Sequence, residues 1–292
     1  MTEPGDVPMT DPGDVPLTAV EATAQVLDAQ QAHHPIALIV GVSGAPELVG
    51  KRVVIRQSKG GAKHLVGSFG DADLDDEALA LGTQRLEERR ASTKGVYELK
   101  SASGLTIQVY VEAHYPQPDL VIVGAGHIAQ PLCSMGALMG FRVIVVDDRP
   151  DFATQERFPE ADRVVRVDFR DPFADIPIHS TSYIVLVTRG HKYDFECLRH
   201  LLKTEVEPPY VGMIGSRRRI RAAFSQLQGE GMPKDRLSRV RAPVGLDIGA
   251  ETPVEIAVAV AAEIVLQWRG GTGAPLAEQE RILERFFKED EL

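Results

Sequence analysis

The rhythm of hydrophobic and polar positions changes near residue 118. Before it, short β-like runs (Ile36–Val42, Arg52–Ile55, His64–Val66, Val96–Leu99 and Leu105–Val111) surround a helical segment from Leu74 to Arg90. In that segment Leu74, Ala78, Leu81 and Leu86 recur at helical spacing. An earlier helix reads over 17–32, with Leu17, Val20, Ala24 and Val26–Leu27 near one face. These elements predict a small N-terminal α/β domain over 17–114. Tyr115-Pro116-Gln117-Pro118 reads as its linker, because proline disfavours helix and central strand on either side.

After Pro118 the apolar runs are uninterrupted. Leu120–Val123, Val143–Val146 and Tyr183–Val187 alternate with helical segments at 127–140, 191–203 and 216–228. Runs this apolar predict strands covered on both faces, hence a doubly wound parallel sheet over 119–270. A helix at 252–268 ends it, with Thr252 as N-cap, Pro253 at the first helical position and Glu255 at the capping-box position. A charged helix, Leu276–Phe287, falls within the terminal segment 271–292.

Composition bounds this picture. At 292 residues, with 43% hydrophobic and 25% charged, the chain has globular composition and enough length for two domains. Residues 1–16, rich in Pro and acid, read as a disordered tail, and they lack the basic-then-apolar plan of a signal peptide. The longest apolar run, Ile256 to Ala262, is too short for a membrane span. The net charge of −10 disfavours a nucleic-acid partner. Most of that charge lies in the two tails, so the body is nearly balanced. The two cysteines, Cys133 and Cys197, cannot build a disulfide framework or, unaided, a zinc site; both read as buried thiols. A cytoplasmic location is expected.

The sharpest local signal is Val123-Gly124-Ala125-Gly126-His127-Ile128-Ala129, which leaves a strand and opens a helix. Gly124 permits the turn, Gly126 lets backbone approach a pyrophosphate, and Ala129 lets the helix pack closely on the sheet. The helix start at His127 and Ile128 supplies N–H groups for phosphate. Asp147 ends the next strand, where an acid holds a ribose hydroxyl and disfavours a 2′-phosphate. The alternative is a Rossmann-like scaffold whose turn binds nothing.

Three further clusters fall at strand ends. Arg189 and His191, in Thr188-Arg189-Gly190-His191, suit an anion clamp or a proton transfer; equally, His191 only starts a helix and Arg189 pairs with a surface acid. Ser216 reads as an N-cap beside Arg217 and Arg218, which suit a phosphate, while Arg219 and Arg221 default to a solvated face. Asp247 and Glu251 precede the last capped helix, where caps and turn bonds account for both as well as a ligand does. Gly-x-Ser-x-Gly, a phosphate loop and His-Glu-x-x-His are all absent from the sequence.

Read together, these clusters resemble the XdhC/CoxI family of xanthine dehydrogenase accessory factors. The resemblance rests on Val123–Ala129, Val146-Asp147-Asp148-Arg149-Pro150, Phe152-Ala153-Thr154 with Glu156-Arg157-Phe158-Pro159, Thr188–His191, Gly212–Arg218 and Gly245–Pro253, in that order. It implies binding of the molybdenum cofactor (molybdopterin or its dinucleotide), support for its sulfuration, and delivery to an apo molybdenum hydroxylase. It further implies a cysteine desulfurase and a second copy of the chain as partners. Such a chaperone has no turnover of its own. Family members carry a Gly-Gly-Gly-Cys segment; here the stretch is Gly67-Ser68-Phe69-Gly70-Asp71-Ala72-Asp73-Leu74-Asp75, with Asp73 in place of the cysteine. The alternative function is a nucleotide-binding regulatory protein or an NAD-dependent oxidoreductase using Gly124–Ala129 and Asp147, although no hydride-transfer constellation is visible.

Overall fold

The computed structural model describes residues 15–57, 61–88, 94–204 and 206–280. The chain divides into two compact units, Met1–Gln117 and Pro118–Leu292.

In the first unit an antiparallel sheet runs in the order β3 (Lys63–Val66), β2 (Arg52–Gln57), β1 (Ile36–Gly44), β5 (Thr106–His114), β4 (Lys94–Lys100). Helix α1 (Ala19–Gln31) sets Val26 and Ala29 against Ile36 and Val54 on one face. Helix α2 (Ala72–Glu88) sets Leu74, Ala78 and Leu86 against Ala37, Ile39, Ile55 and Val109 on the other. Alternate strand residues therefore feed two cores. Gly82 lets α2 sit close, since a Cβ there would lie 2.3 Å from the Ile55 side chain.

In the second unit six parallel strands run in the order β11 (Val240–Arg241), β10 (Tyr210–Met213), β9 (Ser182–Leu186), β6 (Asp119–Val123), β7 (Arg142–Asp147), β8 (Arg163–Arg166). Counted within the unit from the β8 edge, this is the 3-2-1-4-5-6 order of a Rossmann sheet. The order reverses between β6 and β9. Helices α3 (Ala129–Leu138) and α7 (Pro253–Arg269) cover Leu120, Ile122, Val143 and Val185 on one face. Helices α4 (His191–Leu201), α5 (Arg217–Gly229) and the short α6 (Lys234–Ser238) cover Val121, Val123, Ile184 and Leu186 on the other. Both faces are dry, which is why these strands show no polar alternation.

The expected elements form, with ends shifted by a few residues. Strands β8, β10 and β11 and helix α6, each five residues or fewer, were not anticipated. The terminal helix is described as α8 (Leu276–Glu280) only, and its expected remainder lies outside the described residues. So does the tail up to residue 14. No described helix is long and apolar enough to cross a membrane.

Candidate functional site

The site begins where β6 runs out. Gly124 adopts φ +107°, and its N–H donates to Val146 O at 2.7 Å. A Cβ on Gly124 would lie 2.7 Å from Val187 O, so the glycine lets the ends of β6 and β9 touch. Gly126 faces the opposite situation: a Cβ there would meet nothing within 4 Å. The start of α3 has no side-chain cap, whereas Thr18, Ser216 and Thr252 cap α1, α5 and α7. The N–H groups of Gly126, His127 and Ile128 find no partner among the described residues. Unbonded amides at the positive end of a helix, with open space before them, form an anion seat. His127 is exposed and Ile128 half-buried beside it.

Asp147 supports this turn from beneath. It is buried, and it accepts from Ala125 N–H at 2.7 Å, from Arg149 N–H at 3.0 Å, and from Arg149 Nε and Nη2 at 2.9 and 2.8 Å. Arg189 Nη1 stands 3.8 Å away. Burial alone would raise the Asp147 pKa, but these donors hold it well below the usual carboxylate range. The carboxylate expected to meet a ribose is thus engaged by its own protein. Two arginines that the sequence reading did not single out complete the surround. Arg149 and Arg157 flank the Phe152 ring at 3.5 and 4.4 Å, and Arg157 Nη2 donates to Ala125 O at 3.3 Å.

At the end of β9, Arg189 pairs with both oxygens of Asp148 at 2.6 and 2.8 Å and lies over the Tyr193 ring at 4.3 Å. His191 opens α4, exposed and with no side-chain hydrogen bond among the described residues. Under this loop lies a buried network. Thr188 Oγ1 donates to Asp194 Oδ1 at 2.6 Å, and Arg219 donates to Asp194 Oδ2 at 2.7 Å and to Thr188 O at 2.9 Å. Burial pushes the Asp194 pKa up, and Arg219 opposes it. Arg219 is therefore not on a solvated face: it reaches back from α5 and locks the loop that carries Arg189. A run of arginines carries no signal that distinguishes this inward member.

Arg217 and Arg218, in the first turn of α5, are exposed and without partners among the described residues, as is Arg221. Asp247 and Glu251 are exposed too, and neither carboxylate is used in a cap or turn bond there. Thr252 caps α7 with Glu255 instead. Their loop is anchored at its base, where Glu263 Oε2 accepts from Tyr210 OH at 2.6 Å and from Gly245 N–H at 2.9 Å. Arg217, Arg218, Asp247 and Glu251 follow strands at the carboxyl edge of one sheet, the edge at which open α/β sheets hold ligands.

Residues 120–264 match the model of the XdhC Rossmann domain. The second unit thus carries an XdhC Rossmann domain. The "Uncharacterized protein YqeB" of Escherichia coli strain K12 is 28% identical over 250 residues, 83% of this chain and 45% of that relative. A probable xanthine dehydrogenase subunit of Bacillus subtilis strain 168 is 33% identical over 160 residues, 55% of this chain and 46% of that relative. The chain spans about half the length of the curated relatives it matches. A solved structure of a xanthine dehydrogenase from Bacillus halodurans aligns with TM-score 0.47 and 20% identity over 88% of this chain and 99% of that one.

In the first unit, the residue standing where the resemblance implies a cysteine is a local clamp. Asp73 Oδ2 accepts from Ala102 N–H at 2.9 Å and Ser101 Oγ at 3.1 Å, tying α2 to the turn between β4 and β5. Its neighbour Asp75 accepts from Phe69 N–H at 2.7 Å and Ser68 Oγ at 2.5 Å. The two cysteines are buried, and burial pushes the Cys133 thiol up to about 11 and raises Cys197 well above its ordinary value. Among the described residues no group of three or more His, Cys, Asp or Glu could hold a metal ion.

Proposed function

We propose that this chain is an accessory protein of a molybdenum hydroxylase of the xanthine dehydrogenase kind, and that its second unit holds the phosphate portion of the molybdenum cofactor in its dinucleotide form. One observation carries the ligand reading: the uncapped start of α3, with three unbonded N–H groups before open space at Gly126, where the sheet order reverses. A pyrophosphate accepts from those groups and meets the positive helix end. Arg217 and Arg218, uncommitted at the same edge, add charge-assisted donors. The XdhC domain and the name of the Bacillus subtilis relative support the choice of hydroxylase.

The fit covers one end of the cofactor. Phosphate finds donors, whereas molybdenum and sulfur find no available thiol, since Cys133 and Cys197 are buried and Asp73 is engaged. We therefore assign sulfuration to a partner, a cysteine desulfurase or the apo-hydroxylase itself. A nicotinamide dinucleotide is the second reading, because it presents the same pyrophosphate. Its expected ribose contact, Asp147, is already taken by Arg149 and Ala125.

The test is titration of the full chain with molybdopterin dinucleotide and with NADH, beside reconstitution of a cofactor-poor hydroxylase. Saturable binding of the molybdenum dinucleotide and a gain in hydroxylase activity are expected. Substrate-dependent nicotinamide reduction by the isolated chain would overturn the reading.

A further inference from the structure

A groove of about 230 Å³ lies at the other edge of the parallel sheet, where its strands begin. Its walls come from the end of α4, the start of β10, and from α6 and β11. Leu201, Pro208, Pro209 and Val240 give it an apolar part. Three arginines, Arg236, Arg239 and Arg241, line it too, with one acid, Glu207. Arg239 pairs with Glu207. Arg236 donates to Leu202 O, and Arg241 Nη2 donates to the side-chain oxygen of Gln267 at 3.2 Å. Two of the three guanidinium groups therefore donate only to neutral oxygens among the described residues. Apolar surface beside surplus positive charge suits an occupant with large apolar side chains next to carboxylates.

The chain supplies such an occupant close by. Gln267, in the groove wall, lies in the last turn of α7. Gly270 and Gly273, at φ +72° and +76°, turn the chain after that helix, and a Cβ on Gly271 would lie 3.3 Å from the Leu266 side chain. The loop thus rests on the end of α7. Gln279 of α8 donates to Thr272 Oγ1 in the same loop, so the chain passes Glu280 beside the helix end that carries Gln267. Further along the sequence stands Phe286-Phe287-Lys288-Glu289-Asp290-Glu291, two aromatic side chains followed closely by three acids. The stretch from 280 to 286 spans about 9 Å as helix and up to about 20 Å extended.

We propose that the groove is the docking site of the chain's own segment 286–291. Phe286 and Phe287 cover the apolar part, and the acids at 289–291 meet Arg236 and Arg241.

The test is hydrogen exchange of the full chain, wild type against a Phe286→Ser, Phe287→Ser double variant. Amides of α6, β11 and the start of β10 should exchange about tenfold or more faster in the variant, with β6 and β7 unchanged. A synthetic peptide of residues 281–292 should restore the protection, and should fail to do so when Arg241→Glu is added. Both phenylalanines lie outside the two cores of the second unit, so the double variant keeps the fold while the groove is emptied. Unchanged exchange at the groove, an increase spread evenly over β6 and β7, or no restoration by the peptide would overturn docking. Protection that disappears on dilution of the wild type would assign the groove to a second copy and overturn the assignment to the chain's own segment.

Discussion

Asp147 and Ala125 lie 22 positions apart in sequence, yet the carboxylate of one receives the amide of the other at 2.7 Å. The end of β7 thus holds the turn that leaves β6. Because donors keep the Asp147 pKa low in the fold, its contribution is complete above the unfolded carboxylate value and fades as pH falls below it. Asp147→Asn should lower stability at pH 7 by about 2–3 kcal/mol, and the loss relative to wild type should shrink toward pH 3. Urea melts across that pH range check both parts. An equal loss at every pH would refute the ionic origin.

The two glycines of the turn should separate fold from binding. Gly124→Ala requires a side chain at φ +107° and a Cβ 2.7 Å from Val187 O, and should cost about 2–3 kcal/mol of stability. Gly126→Ala meets open space and should melt like wild type. It should nonetheless weaken nucleotide binding, because the added methyl occupies the approach to the amides. A Gly126→Ala protein that binds normally would remove the turn as a phosphate seat.

Neighbouring arginines of α5 should behave differently. Arg219→Ala leaves the buried Asp194 carboxylate and the Thr188 carbonyl without their cation, and should cost about 3–5 kcal/mol. Arg217→Ala and Arg218→Ala should leave denaturant midpoints unchanged while weakening ligand by one to two decades each, the worth of about 1.5–3 kcal/mol per charge-assisted bond. Arg221→Ala should change neither. Paired melts and titrations of the four variants decide it.

Placing the cysteine that the resemblance implies at position 73 should cost stability. Asp73→Cys removes the acceptor for Ala102 N–H and one of the two carboxylates that Ser101 Oγ reaches, the other being Asp71, so a loss of about 1–2 kcal/mol is expected. A variant as stable as wild type would show that the clamp contributes nothing.

The parts legible in the sequence were those with a local cause. Dry strands announced the parallel sheet, Gly124 and Gly126 announced the turn, and Thr252 with Glu255 announced a capped helix. Strand β8, Arg163-Val164-Val165-Arg166, escaped notice because two apolar residues between arginines carry no periodic signal. The roles of Arg219 and Asp147 were hidden for another reason. Spacing gives the strand end on which a residue falls, but not whether its charge is spent inside the protein. That depends on partners from other elements: Asp194 of α4 for Arg219, and the Ala125 amide for Asp147.

The borders of the parallel sheet also bear on how this protein behaves in a crowd. β11 contributes only Val240 and Arg241 to pairing, and β8 is four residues long with exposed arginines at both ends. Unpaired strand edges template association with other chains when they are long, flat and apolar, and short charged ones do not. The four buried strands between them (β10, β9, β6 and β7) would otherwise be an aggregation hazard during folding. Arg163 and Arg166 act as gatekeepers at one border, and the brevity of β11 serves at the other, so the sheet can be apolar throughout its interior without recruiting neighbours.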